Sequence, residues 1–219
     1  MTAVDIDEIL AADLADWRSV AGRLHARFRL PDFTVGAAFV SAVAGAAEEA
    51  EHHPDITLSY GVVALSLCTH EDGYVITRAD LDLARRISEI AAELELEADP
   101  ASITVVEYGL DTAHEEPLSP FWSAILTGRA ADLVDGEVVD SSGQVPVVWF
   151  QGTDEHEAPR QRWHPDVWVP HDQAQARVDA AVAAGGTVVD DSHAPSFVVL
   201  ADADGNKVCV CTALDRSSS

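Results

Sequence analysis

The chain has 219 residues, 47% of them hydrophobic and 23% charged, a composition suited to folded globular domains rather than to disorder. Its formal charge of −25 is spread along the whole length, −11 before Ala98 and −14 from there on, so neither half offers a basic face for phosphates. Nucleic acid and anionic membrane surfaces are therefore disfavoured as partners, and the acidity reads as a device for solubility.

The first ten residues carry early acids and no basic run, unlike a secretory leader, and no apolar run approaches membrane-spanning length. Cys68, Cys209 and Cys211 make an odd set with no CxxC spacing. The last two share one face of a predicted strand and cannot easily bridge. A soluble protein of the reducing cytoplasm is expected.

In chain order, Asp5–Asp16 reads as a short amphipathic helix, with Ile6, Ile9, Leu10 and Leu14 at helical spacing. Leu24, Ala26, Phe28 and Leu30 then alternate with Arg23, His25, Arg27 and Arg29, the period of a half-buried strand. Gly22 suits a hairpin turn back from 17–21. After Pro31-Asp32 the period returns to helical, with Phe39, Val43, Ala46, Ala47 and Ala50 on one stripe. That helix runs into Glu51-His52-His53-Pro54, where the proline disfavours a helical His53.

The β-rich stretch 56–69 is too long for one strand in a compact domain, so it must fold back. Placing Gly61-Val62 in a type II′ turn gives a hairpin whose paired residue numbers sum to 123, with His53 opposite His70. Thr77-Arg78-Ala79-Asp80 opens a last helix as a capping box, with Leu81, Ala84, Ile87, Ala91 and Leu94 as its buried stripe. The resulting α-β-β-α-β-β-α unit is an α+β domain, helices on one face of a four-stranded antiparallel sheet, over residues 1–98. Residues 97–102 read as a linker.

A duplicated rhythm follows over 103–215. Strands are expected at 103–110, 131–139 and 145–150, with a short helix at 120–126. A second set has a strand at 163–169, a helix at 172–184 and strands at 187–189, 197–201 and 207–212. These are two βαβββ-like units.

Chemistry concentrates in the first domain. His52 and His53 end a helix, precede a proline and face His70 across the expected hairpin, with Glu48 and Glu51 within one helical turn. Ligation of one metal by the adjacent pair is disfavoured, because neighbouring side chains diverge. Acid–base work suits them, since imidazole exchanges its proton near neutral pH. Asp80 reads as a helix-capping acid or a substrate contact, and Tyr60 as a packing residue or part of the binding surface.

The run Ala47-Glu48-Glu49-Ala50-Glu51-His52-His53-Pro54, followed by Tyr60, Thr69-His70 and Asp80, resembles the signature of pterin-4a-carbinolamine dehydratases. The resemblance covers about 5–96, and Trp17, Phe28, Phe33 and Phe39 resemble that family's aromatic framework. It implies that His52, His53 and His70 line a pterin pocket and dehydrate a 4a-hydroxytetrahydropterin, with Glu48, Glu51 and Asp80 in support and Tyr60 as a contact. It implies no metal and no cofactor, a small-molecule pterin partner, and a homo-oligomer as an open option. Residues 70–77 depart from the family's small-residue GLT pattern, though Gly73 and Thr77 remain.

The second half resembles the glyoxalase and bleomycin-resistance superfamily. The resemblance rests on Arg162-Trp163-His164-Pro165-Asp166-Val167-Trp168-Val169, on the helix ending in Ala184-Gly185-Gly186, and on Leu200–Cys209. His164 stands where that family often places a metal-binding histidine, but the carboxylate expected near the end is Cys209, and Glu107 is the one candidate ligand of the first strand. A pocket-lining His164 without metal is the expectation, with His114, His156, His171 and His193 in solvated loops. Two alternatives to a dehydratase stay open. One is a glyoxalase-like binding or metal-dependent protein carrying an inactive first domain, and the other is a non-catalytic interaction protein.

Overall fold

The fold is known from a computed structural model that describes residues 2–70, 74–113, 118–120, 122–123, 127, 131–140, 143, 145–155, 163–201 and 207–216. It divides into two compact units, Met1–Thr104 with Ala213–Ser219, and Val105–Thr212. Among the described residues no helix is long and apolar enough to cross a membrane.

The first unit begins with α1 (Ile6–Ala11), opened by a capping box between Asp5 and Glu8. It is shorter than the expected 5–16 helix because Asp13 takes a left-handed φ of 53°. Leu10 is left largely exposed, while Ile9, Ala12 and Leu14 pack on the core. Strands β1 (Trp17–Val20) and β2 (Arg23–Arg29) pair through a two-residue turn, Ala21-Gly22. Both turn residues have positive φ, which matches the right-handed twist of the flanking strands.

Helix α2 (Phe33–Ala50) follows, capped by the Asp32 side chain on the Val35 amide. It lies so close to its neighbours that a Cβ on Gly36 would sit 2.5 Å from Leu30 Cδ1 and 2.7 Å from Leu58 Cδ1. Its buried stripe holds Phe39, Val43, Ala46 and Ala47; Ala50 is exposed because the helix ends there. Strands β3 (Asp55–Ser59) and β4 (Val62–Leu67), then helix α3 (Arg78–Glu93), complete the core. Leu94 caps α3 and is exposed rather than buried.

The sheet order is β1-β2-β4-β3, all antiparallel. A fifth short strand, β5 (Glu97–Ala98), pairs with β2, so the sheet gains a strand where a linker was expected. The alternation of β2 and β4 puts Leu24, Ala26, Phe28, Val63, Leu65 and Leu67 against Phe39, Val43, Ala84 and Ile87 of the helices. Phe28 and Phe39 meet edge to face at 5.3 Å. Each such fully buried side chain stabilises the fold by roughly 1.5–3 kcal/mol.

The β3–β4 register corrects the sequence reading. Ser59 pairs with Val62 and Asp55 with Ser66, sums of 121, so the loop is Tyr60-Gly61. Gly61 supplies its positive φ of 84° from the second loop position, not the first. The type II′ assignment is therefore wrong, and His53 does not stand directly opposite His70.

The second unit is one eight-stranded sheet. Its central strands β6 (Val105–Thr112) and β10 (Trp163–Trp168) are antiparallel. On one side β6 pairs parallel with β9 (Val148–Gly152), followed by β8 (Glu137–Val138) and β7 (Leu133–Val134). On the other, β10 pairs parallel with β13 (Lys207–Cys211), then β12 (Phe197–Ala201) and β11 (Thr187–Asp190). The two sides repeat one pattern, as the duplicated rhythm requires. Helix α4 (Ala174–Ala183) packs Ala174, Val178 and Ala181 on Val167, Val198, Leu200 and Val210. The helix expected at 120–126 falls largely outside the described residues.

Candidate active site

Two chain segments build a cleft of about 330 Å³ in the first unit. Its walls are the run Glu51–Asp55 that leaves α2 and the pair Thr69-His70 that follows β4. The exit from α2 is shaped by Glu51, which takes a left-handed conformation (φ 49°, ψ 34°) while the amide of His52 bonds back to the Ala47 carbonyl at 3.1 Å. Pro54 then excludes helix at His53. The adjacent histidines leave in different directions, each to its own carboxylate.

His52 is the buried one. Its Nε2 lies 2.7 Å from Asp80 Oδ1, with the His52 side chain 11% exposed and Asp80 0%. Asp80 Oδ2 also accepts from the Thr77 amide at 2.8 Å and contacts the hydroxyls of Thr69 (2.9 Å) and Thr77 (3.0 Å). Those hydroxyls lie 2.8 Å apart, so their two protons serve three oxygen–oxygen contacts. A carboxylate accepts only, so ionised Asp80 requires His52 Nε2 to donate and leaves Nδ1 as the nitrogen for other work. His53 is the exposed one, its Nε2 3.0 Å from Glu48 Oε1. His70 has Cys68 Sγ at 3.9 Å and the Tyr74 ring edge to face at 4.9 Å.

Asp80 thus both caps α3 and orients His52. With no exposed surface it reaches the cleft only through that imidazole, not as a direct substrate contact. Glu51 lines the cleft, but no described hydrogen bond joins it to an imidazole. Tyr60 is placed wrongly by the sequence reading. It is 91% exposed at the hairpin tip, while the cleft lies at the Asp55 end of β3. Five strand residues separate the two by roughly 16 Å.

Sequence reasoning assigned no site role to Thr69, Asp55, Arg23 or Tyr74. Arg23 Nη1 donates to Asp55 Oδ2 at 2.7 Å and its guanidinium lies 5.2 Å from the Tyr74 ring centroid. The alternation of β2 put Arg23 on the sheet face away from the core, which was the available signal. Burial pushes the Cys68 thiol up to about 11, so it stays protonated at neutral pH. Burial, then the Arg23 charge, holds His25 down at about 4.

In the second unit, His164 Nδ1 lies 3.6 Å from Asp111 and its Nε2 3.6 Å from Asp166. Gly109 opposite makes room, since a Cβ there would sit 2.5 Å from the His164 ring. Glu107 accepts from the Trp168 indole. Donor atoms of His164, Asp166 and Cys209 lie within 4.8 Å of one another. Ligands on one tetrahedral zinc ion are separated by roughly 3.3–3.8 Å, so this donor set fits a divalent ion after a shift of about 1 Å. Asp166 supplies the carboxylate whose absence argued against metal, and the His-x-Asp spacing on a strand was its signal. His193 is exposed and stacks on Phe197, and His171 is half-buried in a short helical turn. His114, His156, Arg162 and the 203–206 turn lie outside the described residues.

Residues 1–90 match the family model described as pterin 4 alpha carbinolamine dehydratase, and residues 107–211 match that of a glyoxalase-like domain. A Streptomyces coelicolor protein named "putative pterin-4-alpha-carbinolamine dehydratase" is 43% identical over 88 residues, 40% of this chain and 86% of that protein. A Thermosynechococcus vestitus protein of the same name is 41% identical over 91 residues, 42% of this chain and 94% of its own. A crystal structure from Brucella melitensis, described as a transcriptional coactivator/pterin dehydratase, aligns over 41% of this chain and 99% of that chain. Its identity is 28% and its TM-score 0.39.

Proposed function

The chain belongs to the pterin-4-alpha-carbinolamine dehydratase family through its first unit, and from that premise we propose that it dehydrates a 4a-hydroxytetrahydropterin to the quinonoid dihydropterin. The observation that carries this reading is the convergence of His52, His53 and His70 on one cleft, with His52 locked to the buried Asp80 carboxylate.

In the proposed reaction one imidazolium gives its proton to the 4a-hydroxyl as the C4a–O bond breaks. A neutral imidazole takes the N5 proton, and the N5=C4a double bond forms, so the reaction releases water without net proton or electron change. Each positioned transfer is worth about 10²–10⁴-fold in rate. An imidazole backed by a carboxylate can pass between neutral and charged forms without leaving its charge unbalanced, which suits His52 on Asp80 and His53 on Glu48. Glu51 contributes by turning the chain. The bond-making partner is a small-molecule pterin, and no step needs a metal or a cofactor.

We take 1–98 as the dehydratase domain and 103–215 as an attached glyoxalase-like domain of a cytoplasmic protein. The cluster of His164, Asp166 and Cys209 favours a second reading for that domain alone, a small-molecule or metal-dependent binding role. The test is the dehydration rate of 4a-hydroxytetrahydropterin with the full chain, before and after a chelator. Acceleration over the spontaneous rate, unchanged by chelation, is expected. A rate equal to the spontaneous one refutes the dehydratase reading.

A further inference from the structure

Of the three cleft histidines, His70 is the one with no carboxylate hydrogen-bonded to it among the described residues. It is exposed at the end of β4, where two side-chain torsions would be free to turn the imidazole away from any bound ligand. A proton-transfer group must be within hydrogen-bond reach of its target, so something has to hold this ring.

We infer that Tyr74 and Arg23 form a clamp that positions His70, deepening the dehydratase reading on which it rests. Tyr74 lies in the 70–77 segment where this sequence departs from the pattern it otherwise matches. Its backbone φ is +59°, a left-handed conformation unfavourable for a bulky side chain. Such a conformation persists when its surroundings over-determine it. Three contacts do so here. The Thr69 and Val75 amides each bond the other's carbonyl, at 2.8 and 3.0 Å, fixing the backbone next to His70 and next to Tyr74. The Arg23 guanidinium lies 5.2 Å from the Tyr74 ring centroid, within cation–π range. Arg23 is itself tethered by Asp55, a wall of the cleft, at 2.7 Å. The ring so fixed meets the His70 imidazole at 4.9 Å and an interplanar angle of 65°, an edge-to-face contact that favours one imidazole orientation. Tyr74 and Arg23 are positioning residues, acting through His70 and not on the ligand.

The test uses two variants of the full chain. Tyr74→Phe keeps the ring; Tyr74→Gly removes it but suits the positive φ, so the backbone at residue 74 is preserved. The clamp predicts that Tyr74→Gly lowers kcat about tenfold with KM changed less than about twofold, while Tyr74→Phe stays near wild type. It also predicts that the His70 ring-proton NMR signals, shifted by the neighbouring aromatic ring, move in Tyr74→Gly and hold in Tyr74→Phe. Equal kcat in wild type and Tyr74→Gly, with the wild type active, overturns the clamp alone. An inactive wild type overturns the dehydratase reading instead. The spectrum then still decides the clamp, which fails if the His70 signals of Tyr74→Gly match those of wild type.

Discussion

In the first unit His52 is nearly buried and bonded at 2.7 Å to a carboxylate with no exposed surface; in the second, His164 lies 3.6 Å from each of two carboxylates, at ion-pair rather than hydrogen-bond distance. The first arrangement fixes one tautomer and one ring orientation, which is what proton transfer to an organic ligand demands. The second leaves the imidazole between acids, beside a thiol, a set suited to gathering around a cation. Both histidines sit beside carboxylates, so proximity alone does not separate them. The hydrogen bond does.

The contrast breaks first at Asp80. Asp80→Ala leaves the Thr69 and Thr77 hydroxyls, the Thr77 amide and His52 without their common acceptor. A loss of about 3 kcal/mol or more in unfolding free energy is expected, the scale for breaking a buried charged network, together with loss of dehydration. Denaturant titration checks it, and a stability within about 1 kcal/mol of wild type would show that the network is ornamental.

How the first unit depends on pH is the next test. Burial keeps His25 neutral in the folded protein down to about pH 4, whereas the unfolded chain takes up that proton near 6.5. Its contribution to stability is therefore complete above about 6.5 and falls as pH drops toward 4, by up to about 3 kcal/mol. His25→Gln, which cannot titrate, should lose less stability than wild type across that window. Parallel pH curves for the two proteins would contradict the assignment.

The parts of this site that were legible in sequence are the local ones. Helix end, proline and histidine pair lie within four residues, and the Thr77–Asp80 capping box within four more, so spacing alone conveyed them. The β3–β4 register was not legible for a physical reason. Pairings that sum to 121 and to 123 put the same side chains on the same face, because a strand repeats every two residues. Hydrophobic pattern cannot choose between them, and the choice fell to turn chemistry, where Gly61 was assigned to the wrong loop position. Tyr60 was misplaced with it. The Asp80–His52 bond joins residues 28 apart and the Arg23–Asp55 pair residues 32 apart, so both needed the folded sheet and helices to appear.

That error also yields the smallest of the expected effects. Gly61→Val forces a β-branched residue to a φ of 84°, at a cost of about 1–2 kcal/mol. Because the loop lies at the far end of β3 from the cleft, kcat of the folded variant should match wild type. A selective fall in kcat with stability intact would place the hairpin tip back in the active site.

The most direct measurement is the dehydration rate of His52→Ala beside that of His164→Ala, each in the full chain with 4a-hydroxytetrahydropterin as substrate. Proton transfer housed in the first unit predicts a loss of at least about tenfold for His52→Ala and a rate within about twofold of wild type for His164→Ala. Full activity in His52→Ala, or a collapse of dehydration in His164→Ala, would contradict it.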